Sequence, residues 1–178
     1  MERIMKRSLT SLLVAGLLMT VATTLLAAEQ RGQFSEKDFK FVRDASRGGA
    51  TEVQLGELAV QKAENQAVKD FGQRMVTDHG KANSELRRIA ESKGAMLPAE
   101  MSHRENFELE KFQKLNGKDF DKEYVEHMVK DHKKDVKEFQ DAAKELTDPD
   151  LRAFAQNTLT TLQDHLKSIQ DIEASMKK

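Results

Sequence analysis

The sequence predicts an all-α protein, a four-helix bundle made of two antiparallel helical hairpins joined by a long crossover that contains a short helix. Apolar residues recur at spacings of three and four along four long segments, which is the pattern of amphipathic helices. No segment shows the alternation of a strand. The connections between the long segments are short, long and short in turn, which is typical of the ferritin-like variant of the four-helix bundle.

The N-terminal segment, residues 1–28, is predicted to be a cleavable signal peptide. Basic residues precede an uncharged run over residues 9–26, and two alanines then stand before a polar segment. A basic region, an apolar region and small residues at the cleavage point define such a peptide. An uncleaved membrane anchor is the alternative, because the run is close to the length that spans a bilayer. Cleavage would leave an exported, periplasmic chain without a stable membrane span.

A single domain is predicted to occupy residues 36–177, behind a disordered polar tail at residues 29–35. Its first helix is expected to begin after Ser35, because Ser35 followed by Asp38 has the pattern of a capping box. The helix continues as far as Asn65, which breaks the chain and caps the next helix. Glycines within this first helix indicate that a neighbouring helix packs closely against it.

The remaining helices follow from similar signals. The second is predicted from about residue 66 to residue 93, and a short helix lies within the crossover at residues 95–117. The third long helix runs from about residue 118 to residue 146. The fourth begins at residues 148–150, Asp-Pro-Asp, where an N-cap, a proline in the first turn and an acidic residue near the helix dipole coincide.

Composition excludes several classes of function. Charged residues form 33% of the 178 residues, the formal net charge is −1, and no basic patch indicates a nucleic-acid partner. The chain has no cysteine, which excludes disulfides, thiolate metal sites and cysteine catalysis. Nothing resembles a nucleophile elbow, a phosphate-binding loop or a dinucleotide-binding fingerprint, so no catalytic residue is predicted. A monomer and a homo-oligomer are both compatible with the sequence.

A repeated motif indicates a site between helices. The sequence Met-Val-Thr-Asp-His at residues 75–79 returns as Met-Val-Lys-Asp-His at residues 128–132, and each histidine falls on the apolar side of its helix. Counting residues from the two hairpin turns places four polar residues at one depth, one on each long helix. They are Glu52, His79, His132 and His165. Imidazoles and a carboxylate that converge in a bundle core have the composition of a first-row transition-metal site.

We therefore predict that Glu52, His79, His132 and His165 bind one transition-metal ion, which is zinc, iron or copper. The alternative is a polar core in which the carboxylate accepts hydrogen bonds from two imidazoles. The protein would then be a non-enzymatic envelope stress or interaction module whose buried histidines are structural or sense pH. A metal-dependent oxidase or peroxidase is a third alternative, which would need an open coordination position and access for a substrate.

Neighbouring residues are predicted to support these ligands. Met75 and Met128 stand one turn before the two motif histidines, and paired thioether and imidazole ligands would suit Cu(I), although methionine at this spacing is also ordinary core. Asp78 and Asp131 point away from their own histidines and are candidates to hold imidazoles on neighbouring helices. Asp135 follows the second motif by one turn and is a further candidate. Valines precede both histidines by three residues, so the Glu-x-x-His pairs of di-iron bundles are missing.

Taken together and in order, these motifs resemble one protein family. The matching segments are residues 49–56, 75–79 with 81–83, 120–121 with Tyr124, 128–132 with 135–136, and 165–166. They are similar to the exported bacterial family catalogued as domain of unknown function 4142, over about residues 36 to 173. The resemblance implies a ferritin-like helical fold, a periplasmic or outer-membrane-associated location and no established activity. The glutamate and histidine positions typical of the family correspond to the four ligands predicted above.

Overall fold

The computed structural model describes residues 30–97 and 102–177, so the predicted signal peptide lies outside the described residues. In these two ranges the chain is helical and has no strand, and none of the helices is long and apolar enough to cross a bilayer. The predicted fold class, a ferritin-like four-helix bundle, is confirmed. The helices are α1 (Glu36–Lys62), α2 (Gln66–Ser92), the short crossover helix α3 (His103–Gln113), α4 (Gly117–Glu145) and α5 (Pro149–Met176).

Side-chain caps set the helix starts. The side chains of Ser35, Asn65 and Asp148 accept hydrogen bonds from backbone N–H groups in the first turns of α1, α2 and α5. The short helix α3 begins with a complete capping box between Ser102 and Glu105. These bonds satisfy N–H groups that have no carbonyl partner within their own helix. The helix boundaries therefore lie within a few residues of those predicted from the sequence.

The segment before α1 corrects one prediction. Residues 29–35 were expected to form a disordered tail, but the described part of this segment is held against the end of α2. The N–H group of Gln33 donates to the carbonyl of Lys93 at 2.9 Å, and Phe34 is 4% exposed within the core. The prediction of disorder followed from the polar composition of the segment. Burial of the one aromatic ring, that of Phe34, is enough to hold the segment in place.

Two carboxylates tie the hairpins together at their turns. Asp121, near the start of α4, accepts hydrogen bonds from the N–H groups of Glu64 at 3.1 Å and Asn65 at 2.8 Å, in the turn between α1 and α2. Asp38, in the first turn of α1, accepts from the N–H group of Thr147 at 2.9 Å and from its hydroxyl, in the turn between α4 and α5. Each hairpin therefore supplies the group that completes the other hairpin's turn, and α1 runs antiparallel to α4.

Glycine allows α1 and α2 to approach closely at one point. A Cβ atom at Gly56 would lie 2.6 Å from the carbonyl oxygen of Gly72, and a Cβ atom at Gly72 would lie 2.6 Å from the Cβ atom of Ala59. Side chains at either position would therefore collide with the facing helix. At Gly48, by contrast, an added Cβ would meet no described atom within 4 Å apart from the neighbouring residues of its own helix.

The core is divided into two hydrophobic clusters. One lies toward the α1–α2 turn and includes Phe71 and Tyr124, and the other lies toward the α4–α5 turn and includes Leu86 and Phe154. Between them is a buried layer that contains polar side chains from all four long helices. We call it the polar layer, and its buried members are Glu52, His79, His132 and His165.

Candidate metal centre

Three histidine side chains converge in the polar layer. His79 on α2, His132 on α4 and His165 on α5 are 8%, 0% and 1% exposed. The ring centroids are 5.9 Å apart for His79 and His132, 5.5 Å for His79 and His165, and 5.4 Å for His132 and His165. One ring nitrogen from each lies within 4.8 Å of the other two. The structure therefore brings the three predicted histidines together, and we call this group the histidine cluster.

Hydrogen bonds fix the orientation of two of these rings. Nδ1 of His132 lies 3.1 Å from the carbonyl oxygen of Met128, and Nε2 of His165 lies 2.9 Å from the carboxylate of Asp78. Burial alone would raise the pKa of Asp78, but hydrogen bonds from His165 and Arg74 lower it overall, so this group is a carboxylate. A carbonyl and a carboxylate accept but do not donate, so each imidazole donates through this outer nitrogen. The other nitrogen of each ring then carries a lone pair.

In each of the three rings one nitrogen, which we call the inner nitrogen, has no hydrogen-bond partner within the described parts of the chain. The inner nitrogens are Nε2 of His79, Nε2 of His132 and Nδ1 of His165, and all are buried. A buried polar atom without a partner is costly, and native structures contain few of them. A cation placed between the rings would give these nitrogens the partner that they lack. Metal-binding histidines commonly donate their second N–H group to a carboxylate or a backbone carbonyl, as two of these histidines do.

Burial also keeps the rings in the form that binds metal. It lowers the pKa of His79 to about 3, and the neighbouring His132 and His165 act in the same direction. Burial lowers the pKa of His132 to about 4 and also lowers the pKa of His165, although the bond to Asp78 opposes the shift at His165. Metal ions bind neutral imidazole, so at neutral pH no proton has to leave the cluster before an ion binds.

Glu52, the fourth predicted ligand, lies in the polar layer but outside the histidine cluster. Its carboxylate is 1% exposed, and Oε1 lies 3.8 Å from Nδ1 of His132, the nitrogen that faces the carbonyl of Met128. Its carboxylate oxygen is instead within 4.8 Å of carboxylate oxygens of Asp131 and Asp135, and we call these three residues the carboxylate cluster. Burial raises the pKa of Glu52 well above its ordinary value, and the charges of Asp131 and Asp135 add to this effect.

The structure distributes the predicted supporting residues between the two clusters. Asp78 contacts a histidine on a neighbouring helix. Asp131 and Asp135 belong to the carboxylate cluster. Met75 and Met128 are both fully buried, and Met128 contributes its backbone carbonyl to the histidine cluster. Nδ1 of His132 is thus directed to the backbone carbonyl of Met128 and not to Asp135, which the sequence had suggested as its partner.

Aromatic rings close the histidine cluster on one side, which the sequence did not indicate. The ring of Phe71 lies 6.0 Å from the ring of His132 and 6.2 Å from the ring of His165, in edge-to-face arrangements. Tyr124 packs 6.4 Å from Phe71, and burial raises the pKa of Tyr124 well above its ordinary value. The available signal was the position of Phe71 on the same side of α2 as His79, two turns earlier. Periodicity alone assigns such a residue to the core.

A cavity of about 580 Å³ reaches the polar layer from the surface. His79 lines this cavity, as do Asn83 on α2 and the aspartates Asp131 and Asp135 on α4. His79 is also the most exposed of the three clustered histidines. A small ion therefore has a route to the histidine cluster past His79, along a wall that includes the carboxyl groups of Asp131 and Asp135.

Fold and site together define an all-α bundle with a buried histidine cluster, and comparison with known proteins identifies the family and supports the fold. The sequence matches the profile described as "Domain of unknown function (DUF4142)" over residues 23–172, so the chain belongs to this family, as its motifs indicated. A search of curated proteins finds no match.

Several solved structures share the fold. The DUF305 protein from Streptomyces coelicolor has a TM-score of 0.66 at 15% identity, with 78% of this chain and 92% of that chain covered. A DUF305 fragment from Deinococcus radiodurans has a TM-score of 0.69 at 10% identity, with 78% and 96% covered. CopM in its Cu(II)-bound form has a TM-score of 0.67 at 16% identity, with 78% and 97% covered. At these identities, the similarity establishes a common fold.

Proposed function

We propose that this protein is an exported, periplasmic metal-binding bundle, and that one copper ion is held between His79, His132 and His165. The observation that carries the proposal is the convergence of three buried inner nitrogens that have no hydrogen-bond partner in the described chain. Hydrogen bonds from the outer nitrogens of His132 and His165, to Met128 and Asp78 respectively, fix the orientation of these two rings. This arrangement pre-organises the ligands, which reduces the free-energy cost of binding.

The donor set favours copper over the other metals that the sequence left open. Imidazole binds zinc, iron and copper, but divalent copper binds a given nitrogen site more tightly than the other two. Three imidazoles are also the protein ligands of some catalytic zinc sites, so the number of ligands does not separate zinc from copper, and the preference comes from the affinity order and from the nearby thioethers. The thioethers of Met75 and Met128 are buried one turn from their histidines and suit Cu(I). CopM, which has a similar fold, is known in Cu(I)-bound and Cu(II)-bound forms.

The cavity suggests how an ion would be exchanged. The rings of His132 and His165 are fixed by hydrogen bonds at their outer nitrogens, whereas His79 lines the cavity. We infer that His79 is the last ligand to close on the ion and the first to release it. The proposed role is therefore reversible binding, and the periplasmic location rests on the N-terminal pattern of residues 1–28.

A competition titration tests the proposal. The mature chain would be titrated anaerobically with Cu(I) against a chromophoric Cu(I) chelator, and separately with Cu²⁺, Zn²⁺ and Fe²⁺. We expect one equivalent of copper to bind to the wild type, and zinc and iron to bind more weakly. A metal at about 100 times its Kd should stabilise the fold by about 2.7 kcal/mol in thermal or urea unfolding.

The matched variants separate loss of the site from loss of the fold. The double variant His79→Leu, His132→Leu replaces two rings by apolar side chains of similar size, so it should fold and show no copper-induced stabilisation. The control His103→Ala removes an exposed histidine at the start of α3 and should bind copper as the wild type does. Absence of stoichiometric copper in the wild type, or equal binding by the double variant, would contradict the proposal. N-terminal sequencing of the periplasmic fraction checks the export.

A further inference from the structure

The carboxylate cluster is a second group of ligating side chains that the copper proposal does not use. Glu52 comes from α1, and Asp131 and Asp135 come from neighbouring turns of α4. One carboxylate oxygen of each lies within 4.8 Å of the others. The three side chains therefore converge from both hairpins. Acidic residues often lie close together on a protein surface without binding a metal ion. The burial and the hydrogen bonding of Glu52, the most buried of the three, therefore decide whether this cluster is a candidate metal site.

Glu52 is buried and unsatisfied. The residue is 1% exposed, and within the described ranges neither carboxylate oxygen has a hydrogen-bond partner. The closest imidazole nitrogen is Nδ1 of His132 at 3.8 Å, and its proton is directed to the carbonyl of Met128 at 3.1 Å. A buried carboxylate without a partner costs several kcal/mol, so a group in this position calls for a cation or a proton.

Lys134 forms ion pairs at the solvent-exposed side of the carboxylate cluster. The ammonium of Lys134 lies 3.7 Å from Asp135 and 3.3 Å from Glu138, and 56% of its side chain is exposed. An exposed ion pair of this kind contributes little and exchanges readily with solvent. Lys134 therefore reduces the charge at the surface side, while the inner carboxylate of Glu52 keeps its unsatisfied oxygens.

We propose that Glu52, Asp131 and Asp135 form a second metal site, which takes a divalent cation that prefers oxygen ligands, such as Mn²⁺. Carboxylates bind Mn²⁺, Mg²⁺ and Ca²⁺ in preference to the softer metals that imidazoles bind. Asp131 and Asp135 line the cavity, so water can complete the coordination shell from that side. This site adjoins the histidine cluster at His132, whose Nδ1 lies 3.8 Å from Oε1 of Glu52. The two sites are thus adjacent but differ in the metals they select.

Manganese provides a direct probe, because the electron paramagnetic resonance signal of aqueous Mn²⁺ diminishes when the ion is bound. We expect the wild type to bind one equivalent, and Glu52→Gln and Asp135→Asn each to weaken binding by about tenfold or more, since affinity follows the number of charged ligands. Glu138→Gln is the matched control, because it removes a nearby exposed carboxylate of the same helix. Manganese binding by this control should equal that of the wild type.

The variants also separate this proposal from the copper site. His79→Leu should retain manganese binding, and Glu52→Gln should retain one equivalent of copper. Because glutamine has nearly the shape of glutamate and removes a buried charge, Glu52→Gln should fold, and the partly exposed Asp131→Asn provides a second variant. No stoichiometric manganese binding by the wild type would overturn the proposal. Equal weakening by Glu52→Gln and Glu138→Gln would also overturn it, because diffuse surface attraction would then explain the binding.

Discussion

The carboxylate of Asp78 on α2 accepts a hydrogen bond of 2.9 Å from Nε2 of His165 on α5. This bond joins the two hairpins and places the proton of the imidazole on the side away from the histidine cluster. The lone pair on Nδ1 of His165 is therefore directed inward, together with the inner nitrogens of His79 and His132. A residue outside the proposed ligand set thus determines whether one ligand presents the correct nitrogen.

Loss of this bond should weaken metal binding without abolishing it. In Asp78→Ala the imidazole of His165 is no longer held in one tautomer, and loss of such a supporting partner typically lowers metal affinity by about 10- to 100-fold. The Cu(I) competition titration measures the change. Asp164→Ala is the control, because it removes an exposed carboxylate next to His165 that makes no bond to its ring among the described residues. Equal effects of both variants would show that general charge, and not the hydrogen bond, is responsible.

The metal-free protein should lose stability in acid through His79. Burial, together with the neighbouring imidazoles, lowers the pKa of His79 from 6.5 to about 3. Between these values the unfolded chain binds a proton that the folded chain does not, so the contribution of His79 to stability falls as pH decreases through this window. In chelator, the free energy of unfolding of His79→Leu should therefore rise relative to wild type by about 1 kcal/mol for each pH unit below 6.5.

Urea unfolding of both proteins between roughly pH 7 and pH 4 measures this difference. The difference between variant and wild type is informative, because Glu52 and Asp135, whose pKa values burial raises, act in the opposite direction in the wild-type profile itself. His103→Ala, which changes an exposed histidine, should parallel the wild type throughout. Parallel profiles for His79→Leu would show that the ring accepts a proton as easily in the folded state as in the unfolded state.

The turn between α1 and α2 should depend strongly on Asp121. Its carboxylate accepts two backbone hydrogen bonds, from Glu64 and Asn65, and bonds to a charged group each contribute about 1.5–3 kcal/mol. Asp121→Ala leaves both N–H groups without this partner and should lower the free energy of unfolding by about 3 kcal/mol. Asp119→Ala, in the same turn of α4 but exposed, should change it by less than about 0.5 kcal/mol. Similar losses in both variants would assign the effect to the acidic first turn of the helix.

Two glycines of α1 should respond to alanine in opposite directions. At Gly56 the added Cβ meets the backbone of Gly72 at 2.6 Å, so α1 and α2 must separate, and overpacking of this kind costs about 1–3 kcal/mol. At Gly48 the added Cβ has free space in the described structure, and alanine should stabilise the helix by about 1 kcal/mol. Urea unfolding of Gly56→Ala and Gly48→Ala tests this contrast. Stabilisation of both variants would show that the helices adjust without cost.

The fold was predictable because its signals are local. Ser35, Asn65 and Asp148 mark helix starts in the sequence, and the same residues cap the helices in the structure. The ordered segment before α1 was not predictable, because a single ring at Phe34 decides its position. The links made by Asp38 and Asp121 were also hidden, since they join residues far apart in the sequence.

The candidate site was predictable in depth but not in its lateral arrangement. Counting residues from the turns places a residue along the bundle axis, and this put the three histidines and Glu52 at one level. Each residue also turns the side-chain direction by about 100° around its helix, and the pairing of α1 with α4 sends Glu52 to the outer side of His132. The spacing of Asp131 and Asp135 was visible in the sequence, but their convergence with Glu52 required the packing of the two helices.

The polar layer also affects the cooperativity of the bundle. The hydrophobic clusters above and below it are joined through three imidazoles whose inner nitrogens lack partners in the described chain. Without an ion we expect this junction to be the least stable level of the core, with the two ends exchanging their amide hydrogens at separate rates. A bound ion would join three of the four long helices at this level, and the two rates would then become one. Metal loading would thus convert a bundle that opens in two parts into one that opens as a whole.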